Sequence, residues 1–328
     1  MTTHMSLSAS TVTTPLNEET TAQFPFLRKL YNFARADARN LFERGYYCNF
    51  ALKTGYPTAL DTTELTITRD VSYRTSSPHP AQRLDIIRPA VAEAPLPVFL
   101  FVHGGAWRSA DKSGFLKVHE NLCVALAKKG VVCVNVNHRL APEHQFPTAE
   151  QDVAAAIAWT HRHVAEYGGD PERLLVGGHS SGGHLTALVA TDSSYLGKHS
   201  LHASQVIKGI VSLSGVMDIN DFYHDSWFMR TQAVQPYFGK DTTQYSEASP
   251  MHHLSEATPP TFLAHAERHD EGLDEQARSM ERMLKEKGVF VQRQAYPNSD
   301  HFLILSKVNE PSYSLVDDIY SFIAQTIS

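Results

Sequence analysis

The sequence predicts an α/β fold with a mostly parallel central sheet and helices on both faces. Short apolar or β-rich segments alternate with longer segments of helical spacing along most of the 328 residues. Alternation of strands and helices is typical of a parallel sheet whose crossover connections are helical. Four or five of the short segments are nearly continuous apolar runs, as expected of strands that are buried on both faces.

Eight strands and five principal helices follow from this pattern. The strands are predicted at 64–73, 83–89, 97–103, 130–137, 173–178, 207–215, 260–266 and 289–296. The first two alternate between apolar and polar residues and are predicted to be antiparallel. The helices are predicted at 115–129, 148–166, 182–191, 273–287 and 311–327. In such a sheet the ligand site is expected beyond the carboxyl ends of the strands.

One large domain is predicted over residues 61–328, with a cap inserted near 216–258. The cap segment is rich in aromatic residues and has no clear periodicity. Residues 21–60 have apolar positions near helical spacing and are predicted to form N-terminal cap helices. Residues 1–20 are polar and rich in Ser and Thr, which is typical of a disordered leader.

Composition excludes several classes of protein. The net charge of -6 comes without a basic stripe, so no nucleic-acid partner is expected. No apolar run approaches the roughly 18 residues of a membrane span, and the leader lacks the features of a secretory signal. Three cysteines are too few for a disulfide framework. A cytoplasmic protein is expected.

The strongest motif surrounds Ser180. Residues 178–182 read Gly-His-Ser-Ser-Gly, which fits G-x-S-x-G between a predicted strand and a predicted helix. A serine on this sharp turn projects its hydroxyl out of the sheet, and glycines on either side allow close backbone approach. The N–H of Ser181 lies at a helix N-terminus, where it can stabilise an oxyanion.

A second glycine turn follows the strand at 97–103. His103, Gly104 and Gly105 resemble the HGG loop whose backbone N–H groups complete an oxyanion hole. Glycine suits that position because a side chain would block the substrate carbonyl. Two loops with complementary tasks, each at a strand end, favour acyl transfer.

A serine nucleophile needs a base, and the base needs an acid to orient it. In this type of sheet the expected chain order is Ser, acid, His. His301 follows the last predicted strand, and Asp270 and Asp274 follow the strand before it. Asp270 lies closer to the strand end and is the preferred acid, whereas Asp274 reads as an N-terminal helix residue and stays an alternative.

The other histidines carry no metal signature. The 18 histidines include no HExxH motif and no Cys/His ligand set, so neither a metal nor a cofactor is expected. His184, four residues after Ser180, reads as a packed polar residue. His103 is expected to brace its own loop.

Several separated motifs resemble the α/β-hydrolase esterases. They lie at 103–107, 137–153, 167–190, 213–219 and 299–302. They are similar both to the hormone-sensitive-lipase-like carboxylesterases and to the feruloyl-esterase and kynurenine-formamidase-like group. The resemblance spans roughly residues 80 to 325. It implies a triad of Ser180, Asp270 and His301 and an oxyanion hole formed by Gly104, Gly105 and Ser181.

Two residues depart from the lipase-like pattern. His179 stands where that branch usually has Asp, as in the formamidase and feruloyl-esterase branch, and His138 replaces the usual Tyr. These differences bear on the substrate more than on the reaction. Glu143 and Asp152, near the second motif, are expected to be structural or to contact and support the site residues.

The expected function is hydrolysis of small to medium, aryl or short-acyl carboxylic esters by an acyl-enzyme route. The closest alternative is an arylformamidase that hydrolyses an amide of the N-formylkynurenine type, and a third is a non-catalytic small-molecule receptor. Trp107, His179 and Phe222 are candidate substrate-pocket residues, with ordinary cap packing as the alternative for the aromatic residues. The only partner expected is a small ester or amide substrate, with a homodimer as one state considered.

Overall fold

The structure is a computed structural model that describes residues 60–76, 78–114, 117–225, 227–268 and 272–327. The leader predicted over residues 1–20 and the helices predicted over 21–60 lie outside the described residues, apart from residue 60. Asp270, the preferred acid, also lies outside them.

Eight strands form one sheet. They are β1 (Leu65–Ser72), β2 (Arg83–Pro89), β3 (Leu96–Val102), β4 (Val132–Val136), β5 (Gly169–His179), β6 (Ile207–Leu213), β7 (Thr261–Ala266) and β8 (Val291–Tyr296). Their spatial order is β1-β2-β4-β3-β5-β6-β7-β8. Strand β2 runs antiparallel to both of its neighbours, and every other neighbouring pair is parallel. The predicted fold class is confirmed.

The central strands are apolar on both faces because both faces are covered. In β3 every residue from Val98 to Val102 is fully buried. Successive side chains of a strand point to opposite faces. Leu100 accordingly belongs to the core cluster on one face, and its neighbours Phe99 and Phe101 point to the other. Burial on both faces explains why these strands read as unbroken apolar runs.

Five longer helices cover the sheet. They are α1 (Val118–Ala127), α2 (Thr148–His163), α3 (Ser181–Thr191), α4 (Leu273–Glu286) and α5 (Leu315–Thr326). Helices α1 and α5 pack on one face, and α2, α3 and α4 pack on the other. No helix in the described part of the chain combines the length and the apolar character that a membrane crossing requires.

The segment after β6 contains the predicted cap. Its described helical pieces are Ile219–Asp225, Trp227–Met229, the π-helix Arg230–Val234, Gln235–Phe238 and the 3₁₀ helices Thr242–Gln244 and Pro250–His253. Each of these pieces has seven residues or fewer, and one of them is a π-helix, which explains the lack of a clear 3.6-residue period in the sequence. Their aromatic residues Phe222, Tyr237 and Phe238 are buried. The cap segment therefore joins the core beside the loop that follows β3.

Candidate active site

Ser180 lies between the end of β5 and the start of α3. Its backbone has φ 54° and ψ -122°, so φ lies in the left-handed region that non-glycine residues rarely adopt. The N–H of Ser180 donates to the carbonyl of Leu213 at the end of β6 (2.9 Å). A strained conformation of this kind is kept where the surrounding structure enforces it, commonly at functional sites. The turn presents the hydroxyl at the carboxyl edge of the sheet.

The glycines around Ser180 are required by close backbone contacts. A Cβ atom at Gly178 would lie 2.3 Å from the carbonyl carbon of Gly182. A Cβ atom at Gly182 would lie 2.2 Å from the carbonyl oxygen of Val102 at the end of β3. Neither position can therefore hold a larger residue without displacing backbone. This geometry agrees with the prediction that glycines on either side of Ser180 allow close backbone approach.

The structure brings His301 to Ser180 although 121 residues separate them. Nε2 of His301 lies 2.9 Å from Oγ of Ser180, within hydrogen-bond distance. His301 lies in the loop after β8. Asp300 fixes this loop, because its Oδ1 accepts the N–H groups of Phe302 and Leu303 (2.9 Å each). A serine hydroxyl and an imidazole in this arrangement can exchange a proton.

The loops after β7 and β8 are bonded to each other. The N–H of Glu267 donates to the carbonyl of Tyr296 (3.2 Å), and the N–H of Arg268 donates to the carbonyl of Ser299 (3.1 Å). The second contact joins the residue two positions before Asp270 in one loop to the residue two positions before His301 in the other. The assignment of Asp270 as the acid stays a prediction.

Asp274, the alternative acid, is the second residue of α4. Its carboxylate pairs with the guanidinium of Arg278 one helical turn later (2.5 Å). Its side chain is 38% exposed. Asp274 is thus an N-terminal helix residue with a partner on its own helix, as the sequence suggested.

Gly104 packs directly against the turn that carries Ser180. A Cβ atom at this position would lie 2.9 Å from Nδ1 of His179 and 3.1 Å from Cβ of Ser180. Its N–H donates to Nε2 of His119 on α1 (3.3 Å). In this structure the Gly104 donor is directed to a buried imidazole, and the oxyanion role of Gly104 stays a prediction. His119 was not predicted to be part of the site, because no sequence motif connects it with this loop.

The backbone N–H groups of Gly105 and Ser181 are the other two predicted oxyanion donors. Gly105 has φ 117°, and its carbonyl accepts the N–H groups of Arg108 and Ser109. Ser181 is the first residue of α3, where backbone N–H groups have no acceptor within the helix. Neither the Gly105 N–H nor the Ser181 N–H has a hydrogen-bond acceptor among the described residues.

The three candidate pocket residues are almost fully buried. Trp107 is 1% exposed, His179 is 2% exposed and Phe222 is 4% exposed. The ring of Trp107 stacks on Tyr237 at 5.9 Å and meets Phe222 edge to face at 6.4 Å. Trp107 and Phe222 thus take part in cap packing, the alternative left open by the sequence. A pocket-lining role for the three residues stays a prediction.

Trp107 anchors the loop that contains Gly104 and Gly105. Ala106 and Trp107 both have positive φ, at 52° and 58°, which costs about 1–3 kcal/mol per residue. Nε1 of Trp107 donates to Nδ1 of His184 (3.1 Å), and Nε2 of His184 donates to the carbonyl of Ala248 (2.7 Å). Burial lowers the pKa of His184 to about 4. His184 is therefore a neutral packed residue, as predicted, and it helps hold Trp107.

Asp152 has the structural role expected from the sequence. It is 1% exposed and accepts both Nε and Nη2 of Arg139 (2.9 and 2.8 Å). The amide of Gln82 donates to the same carboxylate (2.7 Å). A two-pronged pair of this kind fixes geometry as well as charge. Asp152 therefore ties the segment after β4 to α2.

Glu150 is a buried carboxyl that no sequence motif marks. It is fully buried, and the hydroxyl of Tyr237 donates to its Oε2 (2.5 Å). Tyr237 also accepts the N–H of Ala149 (2.9 Å). Burial raises the pKa of Glu150 from its ordinary value of 4.5 to about 7. Glu150 thus supports the tyrosine on which Trp107 stacks.

Glu150→Gln is expected to remove a pH-dependent loss of stability. The folded-state pKa lies above the ordinary value, so the folded chain retains a proton that the unfolded chain releases. The resulting stabilisation is complete below about pH 4.5 and is lost as the pH rises through about 7. The loss amounts to about 3 kcal/mol on the scale of 1.36 kcal/mol per pKa unit.

Urea denaturation at pH 5 and pH 8 measures this effect. The decrease in the free energy of unfolding between these pH values should be smaller in Glu150→Gln than in the wild type by about 2–3 kcal/mol. The exposed Glu93→Gln serves as the matched control and should behave as the wild type. Equal decreases in the wild type and Glu150→Gln would show that Glu150 does not titrate in this range.

Relatives named as esterases align with much of the chain. Esterase LipC of Mycobacterium tuberculosis is 31% identical over 217 residues, which cover 63% of this chain and 53% of LipC. The probable carboxylic ester hydrolase LipM of the same organism is 33% identical over 177 residues, which cover 52% of this chain and 40% of LipM. The chain spans about half or less of the length of these relatives.

Solved structures with low sequence identity have the same fold. A carbohydrate esterase from gut microbiota superposes with a TM-score of 0.70 at 19% identity, covering 83% of this chain and 99% of that chain. Esterase B from Lactobacillus rhamnosis superposes with a TM-score of 0.73 at 18% identity, covering 88% of this chain and 95% of esterase B. The fold is therefore that of the α/β-hydrolases.

The BD-FAE family model matches residues 84–284, which is more than half of the chain. The matched range begins in β2 and ends in α4, and it includes the Gly104 loop and the turn that carries Ser180. It ends before the loop that carries His301. The chain belongs to the BD-FAE family.

Proposed function

We propose that the protein is a serine hydrolase of carboxylic esters, acting on small to medium substrates with aryl or short acyl groups. The observation that carries the proposal is the 2.9 Å contact between Oγ of Ser180 and Nε2 of His301 at a strained strand–helix turn. Family membership and the esterase names of LipC and LipM support ester hydrolysis.

The first step forms an acyl-enzyme. Oγ of Ser180 bonds to the carbonyl carbon of the ester while Nε2 of His301 takes the hydroxyl proton. This direction of transfer requires the other ring nitrogen of His301 to carry a proton, which Asp270 would hold. The tetrahedral intermediate then collapses, the bond to the alcohol oxygen breaks, and the leaving alcohol receives the proton from His301.

The oxyanion forms near two backbone donors. In the proposed site the N–H groups of Gly105 and Ser181 hold it, and the N-terminus of α3 adds a favourable dipole. Gly104 keeps the space beside Ser180 open, because any side chain there would meet His179 and Ser180. Loss of one oxyanion donor typically costs about 10²–10³ in kcat.

Deacylation repeats the chemistry with water. His301 removes a proton from a water molecule that attacks the acyl carbon, and the proton then returns to Oγ of Ser180 as the acyl bond breaks. The products are a carboxylic acid and free enzyme. This proposal uses only side chains and backbone groups of the chain. The residues described include no group of three or more His, Cys, Asp or Glu suited to a metal ion.

A comparison of an aryl ester with an aryl formamide tests the proposed reaction. We expect kcat/KM for 4-nitrophenyl acetate to exceed that for formanilide by at least about 100-fold, because the relatives are named as ester hydrolases. A larger value for the formamide would favour the arylformamidase alternative. Ligand binding without turnover of either substrate would favour the receptor alternative.

Three further parts of the proposal depend on the sequence alone. They are a cytoplasmic location, the absence of a nucleic-acid partner and assembly as a homodimer. The mild net charge of -6 supports the second. Sedimentation of the purified chain would test the third directly.

A further inference from the structure

His179 directly precedes the nucleophile and is bonded to the catalytic-base loop. It is the last residue of β5 and is 2% exposed. Nε2 of His179 lies 2.7 Å from the carbonyl oxygen of His301, and since a carbonyl only accepts, Nε2 carries the proton. The two imidazole rings are 4.8 Å apart. The side chain therefore contacts both the backbone and the ring of His301.

The opposite side of His179 contacts the Gly104 loop. A Cβ atom at Gly104 would lie 2.9 Å from Nδ1 of His179. The ring of His119 lies 6.1 Å from that of His179 and accepts the N–H of Gly104. His179 is thus enclosed between the loop that carries His301 and the loop that follows β3.

The imidazoles behind His179 are neutral. The ring centroids of His119 and His103 lie 5.7 Å apart. The ring of His138 stacks on that of His103, with the centroids 4.6 Å apart. Burial lowers the pKa of His103, lowers that of His119 well below its usual range and lowers that of His138 to about 3. These rings support His179 by packing without placing positive charge behind it.

We propose that His179 is a positioning residue that fixes the distance between His301 and Ser180 and couples it to the Gly104 loop. The inference rests on the proposed function. His301 lies on a loop, and a hydrogen bond to its own carbonyl restrains its Cα and hence its ring. His179 does not contact the reacting atoms in this account. Displacement of a catalytic group by about 1 Å can lower the rate about 10²-fold.

Two substitutions of nearly equal length separate the hydrogen bond from packing. In His179→Gln the side-chain amide nitrogen can reach about as far as Nε2 and still donate, whereas His179→Met fills similar space without a donor. We expect His179→Met to lower kcat for 4-nitrophenyl acetate about 10–100-fold with KM changed by less than about threefold. His179→Gln should restore kcat to within about fivefold of the wild type.

The kcat values of the two His179 variants can contradict the inference in two ways. Equal kcat values for folded Met and Gln variants would overturn the inference, because the hydrogen bond would then have no separate effect. If His179→Met does not fold, the Gln variant decides alone: kcat within about fivefold supports the inference, and a loss near 100-fold in a folded protein overturns it.

The wild-type protein separates this inference from the proposed function. Labelling with a 4-nitrophenyl phosphonate should modify Ser180 in the wild type, and slower labelling is expected in His179→Met than in His179→Gln. A folded wild type that neither hydrolyses an ester panel nor takes the label overturns the proposed function and the inference with it. An active wild type with Met and Gln variants labelled equally fast overturns the inference alone.

Discussion

Ser180→Ala is expected to lower kcat for 4-nitrophenyl acetate by about 10⁵–10⁶-fold, because it removes the oxygen that forms the acyl-enzyme. The substitution removes a single atom that lies 2.9 Å from Nε2 of His301, so the fold should be unchanged. Circular dichroism and the thermal midpoint check the fold, and initial rates with purified protein check the activity.

The neighbouring serine provides the matched control. Ser181 contributes its backbone N–H to the proposed mechanism, and its buried Oγ has no hydrogen-bond partner among the described residues. Ser181→Ala keeps that N–H and should retain kcat within about tenfold of the wild type. If Ser180→Ala retained wild-type activity while folded, the assignment of the nucleophile would be wrong.

Asp270→Asn is expected to lower kcat about 10⁴-fold, because a neutral amide would favour the wrong tautomer of His301 and would not stabilise its charged form. Asp274→Asn removes only an exposed pair with Arg278 and should change kcat less than about threefold. Both variants keep side-chain size, so kcat can be compared directly in proteins of equal thermal stability.

The reverse ranking would identify Asp274 as the acid. A large loss in Asp274→Asn with an unaffected Asp270→Asn cannot be explained by the helix position and Arg278 pairing of Asp274. Losses near 10⁴-fold in neither variant would mean that another acid orients His301.

The sheet could be predicted from the sequence because its strands are buried on both faces. All eight predicted strands are present, and the predicted antiparallel pair of β1 and β2 is confirmed. Strand β5 is longer than predicted, because it begins at Gly169 and continues through the polar residues before Leu174. Pairing with β3 at Leu96 extends it, and polar residues at a sheet end give no apolar signal.

Short helices could not be predicted in the same way. Ser193–Gly197, Ala203–Val206 and Leu303–Ser306 each span four or five residues, which is too few for a period of 3.6 to appear. The helical pieces of the cap span three to seven residues each, which is also too few. Their positions follow from burial of aromatic side chains such as Phe222 and Tyr237 against the core.

Those parts of the candidate site that lie within a short sequence motif could be predicted. The turn at Ser180, the glycine loop and the position of His301 follow from local sequence and from strand order. The contacts of His119, Glu150 and His179 were not predictable, because each depends on elements that are distant in sequence. His119, for example, meets Gly104 only because α1 packs beside the end of β3.

The most direct test of the proposed nucleophile is the mass spectrum of the protein after reaction with a 4-nitrophenyl phosphonate. The account predicts one adduct per chain, located on the peptide that contains Ser180, with loss of esterase activity in proportion to labelling. The adduct should be missing from Ser180→Ala. Ester hydrolysis that survives complete labelling, or an adduct on another residue that abolishes it, would contradict the assignment of Ser180 as the nucleophile.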